Sequence, residues 1–143
     1  MRIHLGGGAY ADVLYPDHDV SKLKATNDAS IVLRVVYGKT SFMLTGDMAS
    51  AIEDELVRSV SAVELKSDVL KVGHHGSKYS TSDLWLQAVS STVAIISAGK
   101  GNTYGHPAPE VLGRIEKQGA RILSTMDQGT ITLVSDGAHV VEK

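Results

Sequence analysis

Two short and almost wholly apolar runs, residues 69–73 and 92–98, most constrain how this chain can fold. Runs of this length and composition are typical of strands that are buried within a sheet. Each run is followed by apolar residues at helical spacing, in residues 80–89 and 107–118. The repeated order of strand and helix predicts an α/β domain with helices packed on a sheet.

The rest of the chain adds elements at both ends of this pattern. A strand is expected at 12–15, where Pro16 ends it, then a polar loop through residue 30, and a hairpin joining 31–37 to 41–44. A helix is expected at 50–60, begun by a capping box of Ser50 and Glu53. Three short strands follow at 121–124, 130–134 and 139–141. A length of 143 residues suits one domain, and the sequence contains no internal repeat, so we predict a single domain over residues 1–143.

Composition limits the classes of function. The 143 residues carry a net charge of -2, so no overall positive field attracts nucleic acid or an anionic membrane. Because the chain has no cysteine, a metal would need His, Asp, Glu or water as ligands. No apolar run approaches the ~20 residues of a membrane span, and we expect a soluble chain.

Polar side chains occur where the predicted strands end. Asp47 follows the hairpin, His74 and His75 follow the run at 69–73, and His106 lies in the loop after 92–98. Ligands of α/β domains bind beyond the carboxyl ends of the strands. The sequence therefore predicts one site that contains these residues.

Imidazoles and a carboxylate without thiols favour Zn, Mn or Fe in a catalytic rather than a structural site. A metal-bound water would be the nucleophile, and a second imidazole or Ser77 would hold a phosphoryl or carbonyl oxygen. On an extended backbone only one of two adjacent histidines can face a given point. One of His74 and His75 is then the ligand, and the other is a substrate contact, a support for the ligand or a packing residue.

Each candidate also has a simpler interpretation. Asp47 can be a turn or helix-cap residue, and His106 an ordinary loop histidine. Lys71 either extends its amine to solvent or directs a charge into the site. Asn27 and Ser30 are turn and cap residues, or line the same crevice. Trp85 is expected in the core, and the remaining histidines on the surface: His4, His18 and His139.

Taken together, several motifs resemble the C-terminal metallo-β-lactamase-like domain of the ComEC/Rec2 DNA-uptake proteins. The most specific are His74-His75-Gly76-Ser77 and Gly105-His106-Pro107, and the others lie at 27–33, 44–47, 97–104 and 125–129. Asn102 and Tyr104 in the same motifs are further candidates for lining the site.

The resemblance implies the C-terminal half of an αβ/βα sandwich, with a mixed sheet and helices on one face. It also implies a metal-dependent, nuclease-like hydrolase that uses Zn or Mn. Asp47 matches the carboxylate that bridges two metals, and the pair His74 and His75 matches a late histidine position with one ring on metal. His106 falls where this branch has a ligand or a phosphate contact. The implied partners are DNA, single- or double-stranded, and the membrane-channel portion of a bacterial inner-membrane parent.

The chain departs from this family in one respect. The family's main His-x-His-x-Asp-His or His-x-Asp-x-Asp-His motif has no counterpart in residues 1–40. We therefore expect either the C-terminal part of a longer domain or a degenerate relative. In both cases we expect weak metal binding, little hydrolysis and self-association through an uncovered sheet face. The alternatives are a metal-free binding module of the same fold and a hydrolase of another phosphoester or a lactone.

Overall fold

The computed structural model describes residues 1–23 and 25–143, and the part of the predicted polar loop at Lys24 lies outside the described residues. Seven strands form one mixed sheet in sequence order. The first four pair antiparallel, and the fourth to seventh pair parallel. The strands are β1 (Arg2–Gly6), β2 (Ala9–Tyr15), β3 (Val32–Tyr37), β4 (Thr40–Leu44), β5 (Val69–Lys71), β6 (Val93–Ile96) and β7 (Arg121–Ser124).

Helices connect the parallel strands, and a small hairpin ends the chain. Between β4 and β5 lie α1 (Ser50–Ser59) and α2 (Ala62–Leu65), and the next two crossovers contain α3 (Asp83–Val89) and α4 (Pro109–Gln118). After β7 come α5 (Thr125–Gln128) and the antiparallel pair β8 (Leu133–Ser135) and β9 (Val140–Glu142). Among the described residues, no helix combines the length and the apolar character needed to cross a bilayer.

The helices cover one face of the sheet. Cross-strand neighbours lie on the same face, and the register aligns Met43, Leu70 and Ala94 in one row. These three side chains are fully buried. They belong to one apolar cluster with helical residues that include Ile52, Leu56, Trp85, Leu86, Val111 and Ile115. This is the main core.

The opposite face is apolar and only partly covered. Its rows include Ile3, Ala11, Val35, Phe42 and Val69 in one register, and Leu33, Leu44, Lys71 and Ile95 in the next. The β8–β9 hairpin lies beside the start of β4, where Lys39 N–H donates to the Gly137 carbonyl at 2.6 Å. Away from the hairpin, Ile3 remains 42% exposed and Leu44 39% exposed.

The mixed α/β architecture agrees with the sequence prediction, and several local predictions hold. Ser82 caps α3 by accepting from Trp85 N–H, and Gly119 ends α4 with a φ of 89°. Trp85 is buried, as expected. Other local features differ from the prediction, among them helices α2 and α5, which were not expected, and the strand predicted at 130–134, which begins at Leu133. Strand β1 was not expected, and Ser50 does not cap α1, because the N-cap is Ala49 and makes no side-chain hydrogen bond.

Candidate functional site

Three successive parallel strands bring the predicted site residues together. Asp47 follows β4, His74 and His75 follow β5, and His106 follows β6. Because β4, β5 and β6 are parallel neighbours, their carboxyl ends lie at one edge of the sheet. These four residues and Tyr104 line a single open cavity of about 270 Å³.

Hydrogen bonds tie the three loops to one another. His74 N–H donates to the Gly46 carbonyl at 3.1 Å, and Ala108 N–H donates to the Gly76 carbonyl at 2.8 Å. Ser30, from the loop before β3, accepts from Asp47 N–H at 3.1 Å. The cavity is therefore held by backbone contacts between loops that are distant in sequence.

The backbone at His74 and His75 is not extended, which corrects the assumption made from the sequence. Both residues lie in a short turn, Gly73–Gly76, and have left-handed backbone conformations with φ values of 48° and 56°. The left-handed region costs a non-glycine residue about 1–2 kcal/mol. This turn lets both rings line the same cavity, with centroids 6.4 Å apart. Backbone strain of this kind clusters at functional sites.

His75 is oriented toward Asp47. Its Nδ1 lies 2.7 Å from the Ser97 carbonyl, which can only accept, so Nδ1 carries the proton. Nε2 then faces Asp47 Oδ1 at 3.5 Å. A backbone carbonyl that fixes the tautomer of an imidazole is a common support for metal-binding histidines. This role of Ser97 could not be predicted from the sequence, because any residue supplies a carbonyl.

His74 lies between Asn27 and His106. The Asn27 amide nitrogen is 3.3 Å from His74 Nε2, and the ring centroids of His74 and His106 are 5.8 Å apart. Asn27 therefore touches the site, as its alternative interpretation allowed. Ser30 reaches the site through the main chain of Asp47.

His106 is held through its main chain. The Asn102 amide nitrogen donates to the His106 carbonyl at 2.6 Å, and Asn102 Oδ1 accepts from His106 N–H at 3.0 Å. The ring atom Nδ1 is buried and has no partner among the described residues. Burial lowers the pKa of His106, and the neighbouring His74 and His75 act in the same direction.

Two further candidates lie at the edge of the site or beneath it. The Lys71 ammonium donates to the Val72 carbonyl at 2.8 Å, and burial lowers its pKa while Asp47 opposes that shift. Ser77 is only 2% exposed, and its Oγ accepts from Tyr79 N–H at 3.4 Å. Ser77 thus contacts the main chain of Tyr79, and its contact with a substrate oxygen stays a prediction.

The donor atoms of the site are not collected as in a complete metal centre. Within the described ranges, one group of three possible ligands has atoms within 4.8 Å of one another, namely Asp17, His18 and Glu55. That group includes exposed side chains, and none of its members lines the cavity. Within the group, His18 Nδ1 is 2.7 Å from Asp17 Oδ1. Asp47 and the cavity histidines do not form such a group.

Comparison with known proteins gives consistent relatives, although no family model matches the chain. ComE operon protein 3 of Bacillus subtilis is 44% identical over 105 residues, which are 73% of this chain and 13% of that protein. Competence protein ComA of Neisseria gonorrhoeae is 40% identical over 105 residues, or 73% of this chain and 15% of the relative. Recombination protein 2 of Haemophilus influenzae is 37% identical over 124 residues, which are 87% of this chain and 15% of that protein. The matched region is thus a small part of each relative.

Proposed function

Because this chain belongs to the ComEC/Rec2 family of competence proteins, we propose that it forms one wall of a metal-dependent phosphodiesterase site that acts on DNA during uptake. The single observation that carries the proposal is the convergence of Asp47, His74, His75 and His106 on one cavity. Three imidazoles and a carboxylate, delivered by neighbouring strands, are donors that Zn²⁺ and Mn²⁺ accept.

The donor set fits a divalent cation in its chemistry. Asp47 and His75 would hold it, since the His75 tautomer directs Nε2 toward the carboxylate. His74 is the next nearest imidazole of the same turn. When bound, the cation would supply a water of lowered pKa as the nucleophile for hydrolysis. Because Asp47 and the cavity histidines do not form a group of three donors within 4.8 Å of one another, we propose that residues outside this chain complete the ligand set.

The remaining residues would position the substrate. His106 lines the same cavity, and because its Nδ1 is buried, Nε2 is the ring nitrogen that would contact a phosphate oxygen. Asn27 orients His74, and Asn102 fixes the main chain of His106. Lys71 lies close enough to Asp47 for the carboxylate to affect its pKa, and it offsets part of the negative charge at the site.

The proposal extends to fold and partners. The helices pack on one face of the sheet, and this supports the proposal that the chain forms half of an αβ/βα sandwich. Since the chain spans 13–15% of the length of the relatives, the channel through which DNA enters would belong to other parts of a membrane-bound parent.

The test is metal-dependent cleavage of a labelled oligonucleotide by the protein extended upstream of Met1. Asp47→Ala and His75→Ala are compared with His4→Ala, which removes an imidazole from the exposed strand β1. We expect cleavage that requires Mn²⁺ or Zn²⁺, is lost in the first two variants and is unchanged in the third. Metal-dependent cleavage that survives Asp47→Ala would contradict the proposal.

A metal-free binding module is the second candidate, and the separation of the donor atoms favours it. In that case the chain would bind DNA equally well in chelator and in Mn²⁺. Titration of the His18→Ala variant with DNA, in chelator and in Mn²⁺, separates the two functions. The His18→Ala change removes the surface cluster of Asp17, His18 and Glu55, which would compete with the cavity for Mn²⁺.

A further inference from the structure

We propose that Tyr104 is a stacking platform for a nucleobase of single-stranded DNA at the mouth of the cavity. The inference rests on the proposed function, since it names how the substrate of that site would be held. Tyr104 is 81% exposed, although it borders the cavity that contains Asp47 and the histidines. An aromatic ring left in water beside a polar cavity is suited to an aromatic ligand.

The Tyr104 ring has a stacking neighbour in its own loop. Tyr104 stacks on the imidazole of His106, with centroids 5.9 Å apart and an interplanar angle of 20°. One face of the phenol therefore lies along His106, and the high exposure leaves the other face open. Tyrosine has only two side-chain torsions, so ordering it against a base costs little entropy.

The support beneath Tyr104 is fixed by Asn102. Its side chain bonds both the N–H and the carbonyl of His106, and its amide also donates to the Gly99 carbonyl at 2.9 Å. The Asn102 side chain thus joins the main chain at both ends of the loop from Gly99 to His106. The platform consists of Tyr104, the His106 ring under it and the Asn102 bonds that hold the main chain of His106.

The position of the platform suits a nucleotide. Tyr104 and His106 line the site cavity and an adjoining cavity of about 300 Å³ that also includes His75, Ser97 and Gly99. A base on Tyr104 would leave its phosphate beside the histidines. Lys100, in the same loop, is exposed and has no ion pair among the described residues. Such a cation attracts a phosphate backbone.

The geometry favours a single strand over a duplex. Bases in a duplex are already stacked on one another, whereas each base of a single strand offers a free face. Stacking on aromatic side chains is tolerant of sequence, so the platform would not select one base.

The test compares the affinity of this chain for two oligonucleotides of about 15 nucleotides, one made of thymidines and one without bases. Affinity is measured by fluorescence anisotropy in the presence of a chelator. We expect the base-bearing strand to bind about 5- to 100-fold more tightly. Tyr104→Ala should abolish this difference and leave abasic binding unchanged, while Tyr104→Phe and Tyr104→Trp should keep it. Tyr79→Ala is the matched control, because Tyr79 is 65% exposed and lines neither cavity.

Equal affinity of the unsubstituted chain for the two strands, or a preference that persists in Tyr104→Ala, would overturn the inference. Because binding is measured without metal, it is independent of hydrolysis. Base-dependent binding by this chain, together with no metal-dependent cleavage by the protein extended upstream of Met1, upholds the platform and refutes the phosphodiesterase. Cleavage by the extended protein, with no preference of this chain for the base-bearing strand, upholds the phosphodiesterase and refutes the platform.

Discussion

The side chain of Asn102 bonds both main-chain polar groups of His106, donating to its carbonyl at 2.6 Å and accepting from its N–H at 3.0 Å. The two residues are four apart in a loop that contains Gly101 and Gly105, both with positive φ. These bonds fix the main chain of His106 and so set the direction from which its ring enters the cavity. Asn102 is therefore a positioning residue for the site.

Replacing Asn102 with Ala should release His106. We expect the free energy of unfolding to fall by about 2–4 kcal/mol, since three hydrogen bonds are lost, one to Gly99 and two to His106. The His106 imidazole signals in a ¹H–¹³C correlation spectrum should shift toward those of an exposed histidine. Asn102→Asp keeps the acceptor for His106 N–H and should show a smaller shift. Unchanged His106 signals in Asn102→Ala would rule out the positioning role.

Gly76 is required where the β5 and β6 loops meet. Its φ is +83°, and a Cβ on Gly76 would lie 2.7 Å from Cβ of Pro107. Gly76→Ala should destabilise the protein by at least about 1–2 kcal/mol, the cost of the left-handed region alone. Gly113 in α4 has no atom within 4 Å of the same position, so Gly113→Ala should stabilise by about 0.5–1 kcal/mol. Urea unfolding measures both, and equal effects would refute the steric account.

Glu53 joins α1 to the start of α3. Its side chain is fully buried and accepts from Thr81 N–H and, at 2.8 Å, from Ser82 N–H. Glu53→Gln would turn an amide donor toward one of these N–H groups, and we expect a loss of about 1–3 kcal/mol. Glu116→Gln, on the exposed side of α4, is the control and should change stability little.

The same residue predicts a pH dependence. Burial raises the pKa of Glu53, although its two backbone hydrogen bonds oppose the shift. The native state then binds the proton more tightly than the unfolded state. The contribution of Glu53 to stability is therefore full at low pH and declines as pH rises from the unfolded-state pKa through the native one. The stability difference between the unsubstituted protein and Glu53→Gln should narrow as the pH rises above the unfolded-state pKa of about 4.3. A difference that widens as the pH rises would contradict the assignment.

The partly covered sheet face predicts self-association of this chain. Ile3 and Val35 lie on it, in one register row with Ala11. Ile3→Lys combined with Val35→Lys should lower the sedimentation coefficient at high protein concentration, because charges on this face would be buried in a dimer. Val63→Lys is the matched control, since Val63 is 81% exposed on α2. A protein that stays monomeric at every concentration would show that this face does not pair.

The sequence predicted the central strands and helices because their patterns are local. The runs at β5 and β6 are short and apolar, and Ser82 and Gly119 mark helix ends by their own chemistry. The failures depend on tertiary contacts. Glu53, expected to cap its own helix, is instead used by α3, and β1 is exposed, so burial left no pattern in it.

The site follows the same division. Its position at the strand ends could be predicted, since parallel strands bring their carboxyl ends together. The orientation of its groups could not. The left-handed turn at His74 and His75, the Ser97 carbonyl on His75 and the stacking of Tyr104 on His106 all depend on contacts between loops.

The most direct test of the central claim is paramagnetic broadening of the histidine ring signals by Mn²⁺. The chain has six histidines, which provide internal controls. In the His18→Ala background, we predict that the signals of His74, His75 and His106 broaden at lower Mn²⁺ than those of His4 and His139, and that Asp47→Ala removes this difference. Equal broadening of all the rings, or selective broadening that survives Asp47→Ala, would contradict a metal site in this cavity.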